Sequence, residues 1–491
     1  MNILGQVLSS PSSRTNILTD GQINCSYQEI PDIFKNIDAL FVKQGIDKKD
    51  TLVLEAVNTL PNALILLYLL ARGYSFLPIN RGVNPANSSI PQVSIPRFCR
   101  YSLVTQPLKS SDNRAALTQP ESFLQFLKNE EWISNSHREN NSTQKLYLRT
   151  SGSTGKPKLA VHTHSHLLEN AMNCVERLGL KSDDRIAIPV PLAHMFGLGA
   201  AFLPGVAVGA SIDLQQGANL LRYLQRETAF APNVAFMTPI FCDTLLKGRK
   251  SAREYRLTVT AGDRLKEETF TQFQSRFGCV VNLYGSTEMG AIAASAPDYP
   301  NHIRSKTSGK PMRGVILRTQ PQNPESLTQT DNLGEIWCQH QYGFEGYVDE
   351  DGIPVRQNLP IQDDWFNTRD LGRITEDGCI EVFGRCDHSI NRNGLLVFFA
   401  DVEKGMEKIE GIEQVVVVSK GESQRGKGLV AYCVTAKSAN LNEDEIRSSC
   451  FNILPRHSIP DSVFLVKSLP LLPNGKVDRQ TLINKNDSKP S

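Results

Sequence analysis

Between Thr51 and Pro78 a short apolar run, an apolar stretch of helical length and a second short apolar run follow one another. Thr51–Ala56 reads as a buried strand, Pro61–Arg72 as a helix with proline in its first turn, Gly73 as its stop, and Phe76–Pro78 as the next strand. This is a βαβ-like start, and it predicts a parallel sheet whose faces are covered by helices. The same rhythm returns after residue 145. Ser165–Leu178 reads as an amphipathic helix, and Arg185–Pro189, Pro232–Met237 and Arg256–Ala261 as short buried strands. In open α/β sheets the loops beyond the carboxyl ends of such strands are where ligands bind.

The pattern changes after about residue 305 to short strands with turns, such as Gly334–Gln339 and Cys379–Phe383, the latter entered through Glu376-Asp-Gly378. This predicts a β-rich subdomain. Residues 388–491 carry two further strands, Gln414–Val418 and Leu429–Thr435, and a helix over Leu441–Leu454. The expected fold class is therefore α/β: a large N-terminal domain of parallel α/β sheets with a β-rich subdomain (1–384), and a small α+β domain (388–491), joined near 385–388. Residues 110–141, rich in Ser, Asn and Gln, read as a polar surface connection.

Composition removes several classes of function. At 491 residues the chain exceeds one core. Lys+Arg 53 against Asp+Glu 51 leaves no overall field to hold nucleic acid or an anionic membrane. Residues 186–212 carry no charge, but Pro189, Pro191, Pro204 and four glycines interrupt them, which argues against a continuous membrane-spanning helix. The N-terminus lacks the basic region of a secretory signal. Ten cysteines are scattered without a Cys-x-x-Cys pair, so they are expected to be reduced thiols and the chain cytoplasmic.

Chemistry concentrates in Thr150-Ser-Gly-Ser-Thr-Gly-Lys-Pro-Lys158, which packs four hydroxyls, two glycines and two lysines into one loop. Small residues let backbone N–H groups approach an anion, hydroxyls donate further bonds, and lysines supply charge. A Walker A loop would need Gly at position 150 and Ser or Thr at 157, where this chain has Thr and Pro. The loop is a phosphate cradle of another kind.

Four more segments follow in order: Asn282-Leu-Tyr284-Gly285-Ser286-Thr287-Glu288, Trp365-Phe-Asn-Thr368-Arg369-Asp370, Gly384-Arg385-Cys386-Asp387 and Pro473-Asn474-Gly475-Lys476-Val477-Asp478-Arg479. With the loop, they resemble the motifs of the adenylate-forming superfamily, which includes acyl- and aryl-CoA synthetases and the adenylation domains of peptide synthetases. The resemblance implies that Thr150, Ser151, Gly152, Ser153, Thr154, Gly155 and Lys158 hold ATP phosphates and that Glu288, following Thr287, ligates Mg²⁺. It further implies that Tyr284 stacks on adenine beside Gly285, that Gly262 and Asp263 also contact adenine, that Asp370 accepts from both ribose hydroxyls, and that Arg385 contacts ribose or phosphate. Lys476 would be the catalytic cation of adenylation, and Asp387 the hinge on which a mobile small domain turns towards thioester formation. A second reading of Glu288 is a helix N-terminal residue favoured by the dipole.

Four positions depart from the resembled pattern. Leu159 and Arg369 replace glycines, Asn391 replaces a lysine, and the Gly-Gly or Arg-Gly-x-Arg beyond it becomes Asn393-Gly394-Leu-Leu.

His194, within Pro191-Leu-Ala-His-Met-Phe-Gly197, matches the Pro-x-x-His-x-x-Gly of CoA ligases; the alternative is a packed histidine at a strand end. His162, His164 and His166 alternate, but no fourth ligand for zinc is evident. Phe196, Phe236, Met237, Thr238 and Tyr284 are candidate walls for an acyl pocket. The resulting expectation is an ATP-dependent acid–thiol ligase with a small carboxylic acid as substrate and coenzyme A as acceptor. The alternatives are a stand-alone enzyme loading a carrier protein, and a nucleotide-binding protein without turnover. No nucleic-acid partner and no stable membrane insertion are expected.

Overall fold

The structure is a computed structural model. It describes residues 15–484 apart from 81–93, 110–113, 134–143, 151–157, 218, 252, 321–332, 357–358, 393–394, 424–425, 437–438, 440 and 471–476.

The first βαβ unit forms as the sequence predicts. Thr59, in extended conformation, precedes the helix Leu60–Arg72, Pro61 lies in its first turn, and Gly73 closes it at φ 72°. The strands Thr51–Glu55 and Ser75–Ile79 on either side pair in parallel. They sit at the centre of a seven-stranded sheet in the order Gly346–Val348, Lys158–Thr163, Lys145–Thr150, Ser75–Ile79, Thr51–Glu55, Tyr101–Thr105 and Leu124–Lys128. The last of these corrects the reading of 110–141 as mere connection, because it pairs antiparallel with Tyr101–Thr105 and closes the sheet edge.

A nine-stranded sheet takes the order Lys310–Pro311, Gly290–Ala294, Gly278–Ser286, Tyr255–Thr260, Val234–Met237, Arg185–Ile188, Ser211–Leu214, Ile17–Thr19 and Asn24–Ser26. Its middle strands are parallel, and both its faces are apolar. Val234 and Phe236 join one core cluster, while Ala235 and Met237 join another under the helices Leu220–Phe230, Pro239–Gly248 and Glu267–Phe277. Parallel sheets need this double cover, because their strands are buried on both sides. The helix Leu60–Arg72 is buried over most of its surface and shares one continuous cluster with residues of both large sheets. It is a core helix, too short to span a bilayer. Among the described residues no helix is long and apolar enough to cross a membrane.

The β-rich part is an antiparallel sheet of Val315–Gln320, Leu333–His340, Trp365–Ile374, Ile361–Gln362 and Ile380–Arg385. A further sheet, Leu395–Phe398, Ser389–Arg392, Gly426–Thr435, Ile412–Ser423 and Ser462–Leu465, packs with the helices Phe399–Met406 and Glu443–Ile453 around a separate core. Asn442 caps the second helix reciprocally with Glu445. Buried Arg392 anchors this unit, donating to the carbonyls of His457 and Ile459 and to Asp461. All ten cysteines are free thiols, eight of them buried.

Candidate active site

The strands Lys145–Thr150 and Lys158–Thr163 form an antiparallel hairpin whose last pair is Thr150 with Lys158. The Thr150 hydroxyl donates to the Lys158 carbonyl at 3.2 Å. Ser151, Gly152, Ser153, Thr154 and Gly155, which join the two strands, lie outside the described residues, as does Lys476. The hairpin nevertheless fixes where that connection begins and ends. The Lys158 ammonium stands 5.9 Å from the centre of the Tyr347 ring. Tyr347 reaches this place because Gly346–Val348 pairs with the second hairpin strand.

Tyr347 donates from its hydroxyl to Oε1 of Glu288 at 2.7 Å. Burial and the adjacent carboxylate push the phenol far above its ordinary pKa, so it remains a donor at any physiological pH. Glu288 does not begin a helix. Thr287, Glu288 and Met289 form the tight turn between the antiparallel strands Gly278–Ser286 and Gly290–Ala294. The dipole reading is therefore replaced by a hairpin tip clamped from several sides. His162 Nε2 lies 2.8 Å from the Thr287 carbonyl and His340 Nδ1 2.7 Å from that of Met289. Asn170 donates to the Met289 carbonyl and accepts from the Ala291 N–H. Phe344 N–H donates to the Glu288 carbonyl at 2.8 Å. Gly285 follows from the same hairpin: a Cβ there would lie 2.2 Å from the Gly290 carbonyl oxygen.

Beside this turn, the buried Tyr284 hydroxyl donates to Oδ2 of Asp370 at 2.7 Å. Arg385 stands 3.7 Å from Oδ1 of the same carboxylate and donates to the Thr368 carbonyl at 2.9 Å. Gly262 has φ 92° with open space around its missing Cβ, so conformation alone explains the glycine. Asp263 is exposed and accepts from the Arg264 N–H. The Arg264 guanidinium in turn lies over the Phe383 ring, which brings the 262–264 loop to the approach to Arg385. Asp387 falls in the short turn Cys386–His388, and its side chain lies outside what is described.

His194 is exposed rather than packed. Its motif spacing has a local cause. The Asn58 side chain donates to the carbonyls of Ile188 and Val190 and accepts from the Leu192 N–H, pinning the loop after the strand Arg185–Ile188. Pro191 O then accepts from the His194 N–H, and a Cβ on Gly197 would lie 2.1 Å from that same oxygen. Proline, histidine and glycine are thus parts of one turn leading into the π-helical segment Phe196–Phe202.

Of the acyl-pocket candidates, Phe196 and Phe236 face each other with ring centres 6.1 Å apart, and Tyr284 belongs to the same cluster. Met237 packs on the opposite face of its strand. Thr238 caps the helix Pro239–Gly248 by accepting from Phe241 N–H. The three alternating histidines spend their rings separately: His162 on Thr287, His166 on the Gly343 carbonyl, and His164 edge-on to Phe76.

Sequence reasoning missed Tyr347, His340, Asn170 and Asn58. Only strand pairing and loop closure bring them to the site, and none stands in a recognisable motif.

Residues 98–348 match the AMP-binding enzyme family and 401–476 the AMP-binding enzyme C-terminal domain. The chain is 26% identical over 348 residues to a salicylyl-CoA synthase / salicylate adenylyltransferase of Streptomyces sp, covering 69% of this chain and 62% of that protein. It is 24% identical over 492 residues to 4-coumarate–CoA ligase 1 of Arabidopsis thaliana, covering 93% and 87%. For four of the relatives it matches, the aligned part spans 62–66% of their length. Its fold is similar to o-succinylbenzoate CoA synthetase of Bacillus subtilis in complex with the acyl-adenylate OSB-AMP, with TM-score 0.76 at 19% identity over 99% and 98% of the two chains.

Proposed function

The chain belongs to the AMP-binding enzyme family, and from that premise we propose that it joins a small carboxylic acid to the thiol of coenzyme A at the expense of ATP. A carboxylate oxygen attacks the α-phosphorus of ATP, the bond to the β-phosphate breaks, and pyrophosphate leaves. The thiol then attacks the acyl carbon and AMP departs. The observation that carries this reading is the convergence of Lys158, Glu288 with Tyr347, and Asp370 with Tyr284 and Arg385 beside the phosphate-loop hairpin.

The chain's own groups divide the work. Lys158 and the 151–155 loop would hold the β- and γ-phosphates, and Asp370 would accept from the ribose hydroxyls while Tyr284 fixes its orientation. Glu288 suits Mg²⁺: it is a hard oxygen donor held in place by Tyr347, and this cation commonly takes one carboxylate together with phosphate oxygens and water. Bound there, Mg²⁺ would neutralise phosphate charge. His194, exposed two residues before Phe196, would stand where the acyl group enters, with an aryl or short acyl chain against the Phe196 and Phe236 rings. Relatives named as CoA ligases, one of them aligned over most of its length, support the acceptor.

The test is ATP–pyrophosphate exchange over a panel of aryl and short-to-medium acyl acids, followed by thioester detection. Exchange with one acid and a CoA thioester is the expected result. A thioester formed only on a phosphopantetheinyl carrier protein would move the acceptor, and absence of exchange with every acid would remove the ligase reading. A second test concerns ribose. Asp370→Asn keeps a partner for Tyr284 but loses the charge, and should raise KM for ATP about 10- to 100-fold, since a hydrogen bond to a charged group is worth about 1.5–3 kcal/mol. The wild-type preference for ATP over 2′-deoxy-ATP should shrink with it; an undiminished preference would place the ribose elsewhere.

A further inference from the structure

Arg369 occupies a position that the backbone shapes for glycine. Strand Trp365–Ile374 leaves its ladder with Leu333–His340 here: Trp337 pairs with Asn367 and Glu335 with Leu371, so Thr368, Arg369 and Asp370 together oppose Ile336. A bulge of this kind re-aims side chains and is common beside active sites. The Thr368 hydroxyl donates to the Ile336 carbonyl at 2.8 Å, and Arg369 N–H donates to Oδ1 of Asn367 at 2.7 Å. Between them Arg369 is held at φ 58°. Glycine takes this left-handed conformation freely, and a long side chain there is uncommon. The Thr-Gly-Asp segment that this stretch resembles has glycine at this place.

Strain retained at a site points to a use for the side chain that causes it. Arg369 is half-buried and directly precedes Asp370, which Tyr284 and Arg385 hold. Its charge, like that of Arg385, acts on the Tyr347 phenol, whose hydroxyl sits on Glu288 and whose ring faces Lys158. Arg369 thus adjoins Asp370 in the chain, and its charge reaches the groups that would surround the nucleotide phosphates. Guanidinium is suited to such oxygens, since its fork of N–H donors meets them in pairs.

We propose that Arg369 is a nucleotide-binding residue, a guanidinium that grips ATP phosphate oxygens where the resembled pattern has glycine. The proposal rests on the ATP-dependent reading above. Its test is calorimetric titration of the full chain with ATP–Mg²⁺ and, separately, with adenosine, which has no phosphates. Arg369→Gly and Arg369→Asn both suit the left-handed conformation and remove the charge; Arg369→Lys keeps it. The glycine and asparagine variants should bind ATP about 10- to 100-fold more weakly and adenosine within about 2-fold of wild type, with lysine intermediate. Arg369→Gly should also raise the apparent Tm by a few degrees, as strain is released. Unchanged ATP affinity in either neutral variant would overturn the proposal, as would equal weakening of ATP and adenosine, the mark of a structural role. A wild-type chain that does not bind ATP would overturn the proposal and the functional reading together, whereas binding by all four proteins alike would leave that reading standing.

Discussion

Lys476→Ala is expected to abolish detectable ATP–pyrophosphate exchange while leaving thioester formation from preformed acyl-AMP largely intact. The expectation follows from where charge develops. As the carboxylate adds to the α-phosphorus, negative charge grows on oxygens that belong to neither reactant alone, and a fixed cation there acts only at the summit of the barrier. Removing one preorganised donor to such charge costs about 10²–10³ in rate in comparable chemistry, and a full positive charge should cost at least as much. Asn474-Gly475 reads in the sequence as a turn that would present the lysine at its end, and Lys476 precedes the helix Arg479–Asn484 in the chain. The second step makes and breaks no bond to phosphorus, so an adenylate supplied ready-made bypasses the defect. Equal losses in both steps would show that Lys476 is not specific to adenylation. At the 383–399 junction Phe383 meets Phe398 and His388 meets Phe399, aromatic contacts that would have to be remade if the small domain turns between steps.

Much of the fold was legible because its strands are short apolar runs stopped by glycine or proline, and because Pro61 and Gly73 supply the start and stop signals of the first helix. Leu124–Lys128 escaped notice since an edge strand buries few of its residues: Leu124 is buried, whereas Leu127 is about half exposed. The site was legible to the extent that its residues stand in contiguous motifs. Tyr284 and Glu288 stand in one motif by resemblance, and the structure sets their side chains against Asp370 and Tyr347; the helix-start alternative for Glu288 arose because a strand end, a helix start and a hairpin tip all tolerate Ser-Thr-Glu. Its supports were beyond reach for another reason. His162 meets Thr287 across 125 residues, and Tyr347 meets Glu288 across 59, through sheet pairings that no local pattern encodes. Arg369 could be recognised only as a departure. Its positive φ explains why glycine would be the easier residue.

The histidines behind that turn predict a second large effect, a loss of stability in mild acid. His162, His164 and His340 each have a pKa held down to about 4, with burial as the leading cause in all three. His166 adds a smaller downward push on His162 and His340, since their charges would repel. In the unfolded chain each ring should take a proton near 6.5, so between pH 6.5 and 4 the unfolded state binds protons that the native state refuses. Stability from these rings is therefore fully present above pH 6.5 and is lost as pH falls towards 4. A depression from 6.5 to about 4 corresponds to at most about 3 kcal/mol per ring, and the three together form a large fraction of the ~5–15 kcal/mol that holds a typical domain folded. The loss should appear first at the site, because His162 and His340 stand buried against the carbonyls on either side of Glu288, and charging either ring would drive it towards water. ATP–Mg²⁺ affinity should then fall at a higher pH than that at which the whole domain unfolds. Denaturant titrations from pH 7.5 to 4.5 measure the slope directly. His340→Gln, which offers an amide donor without a titrating ring, should remove close to one proton from it. A slope identical in wild type and variant would mean that His340 is already protonated in the folded protein, and that the Glu288 turn is not held by a neutral ring.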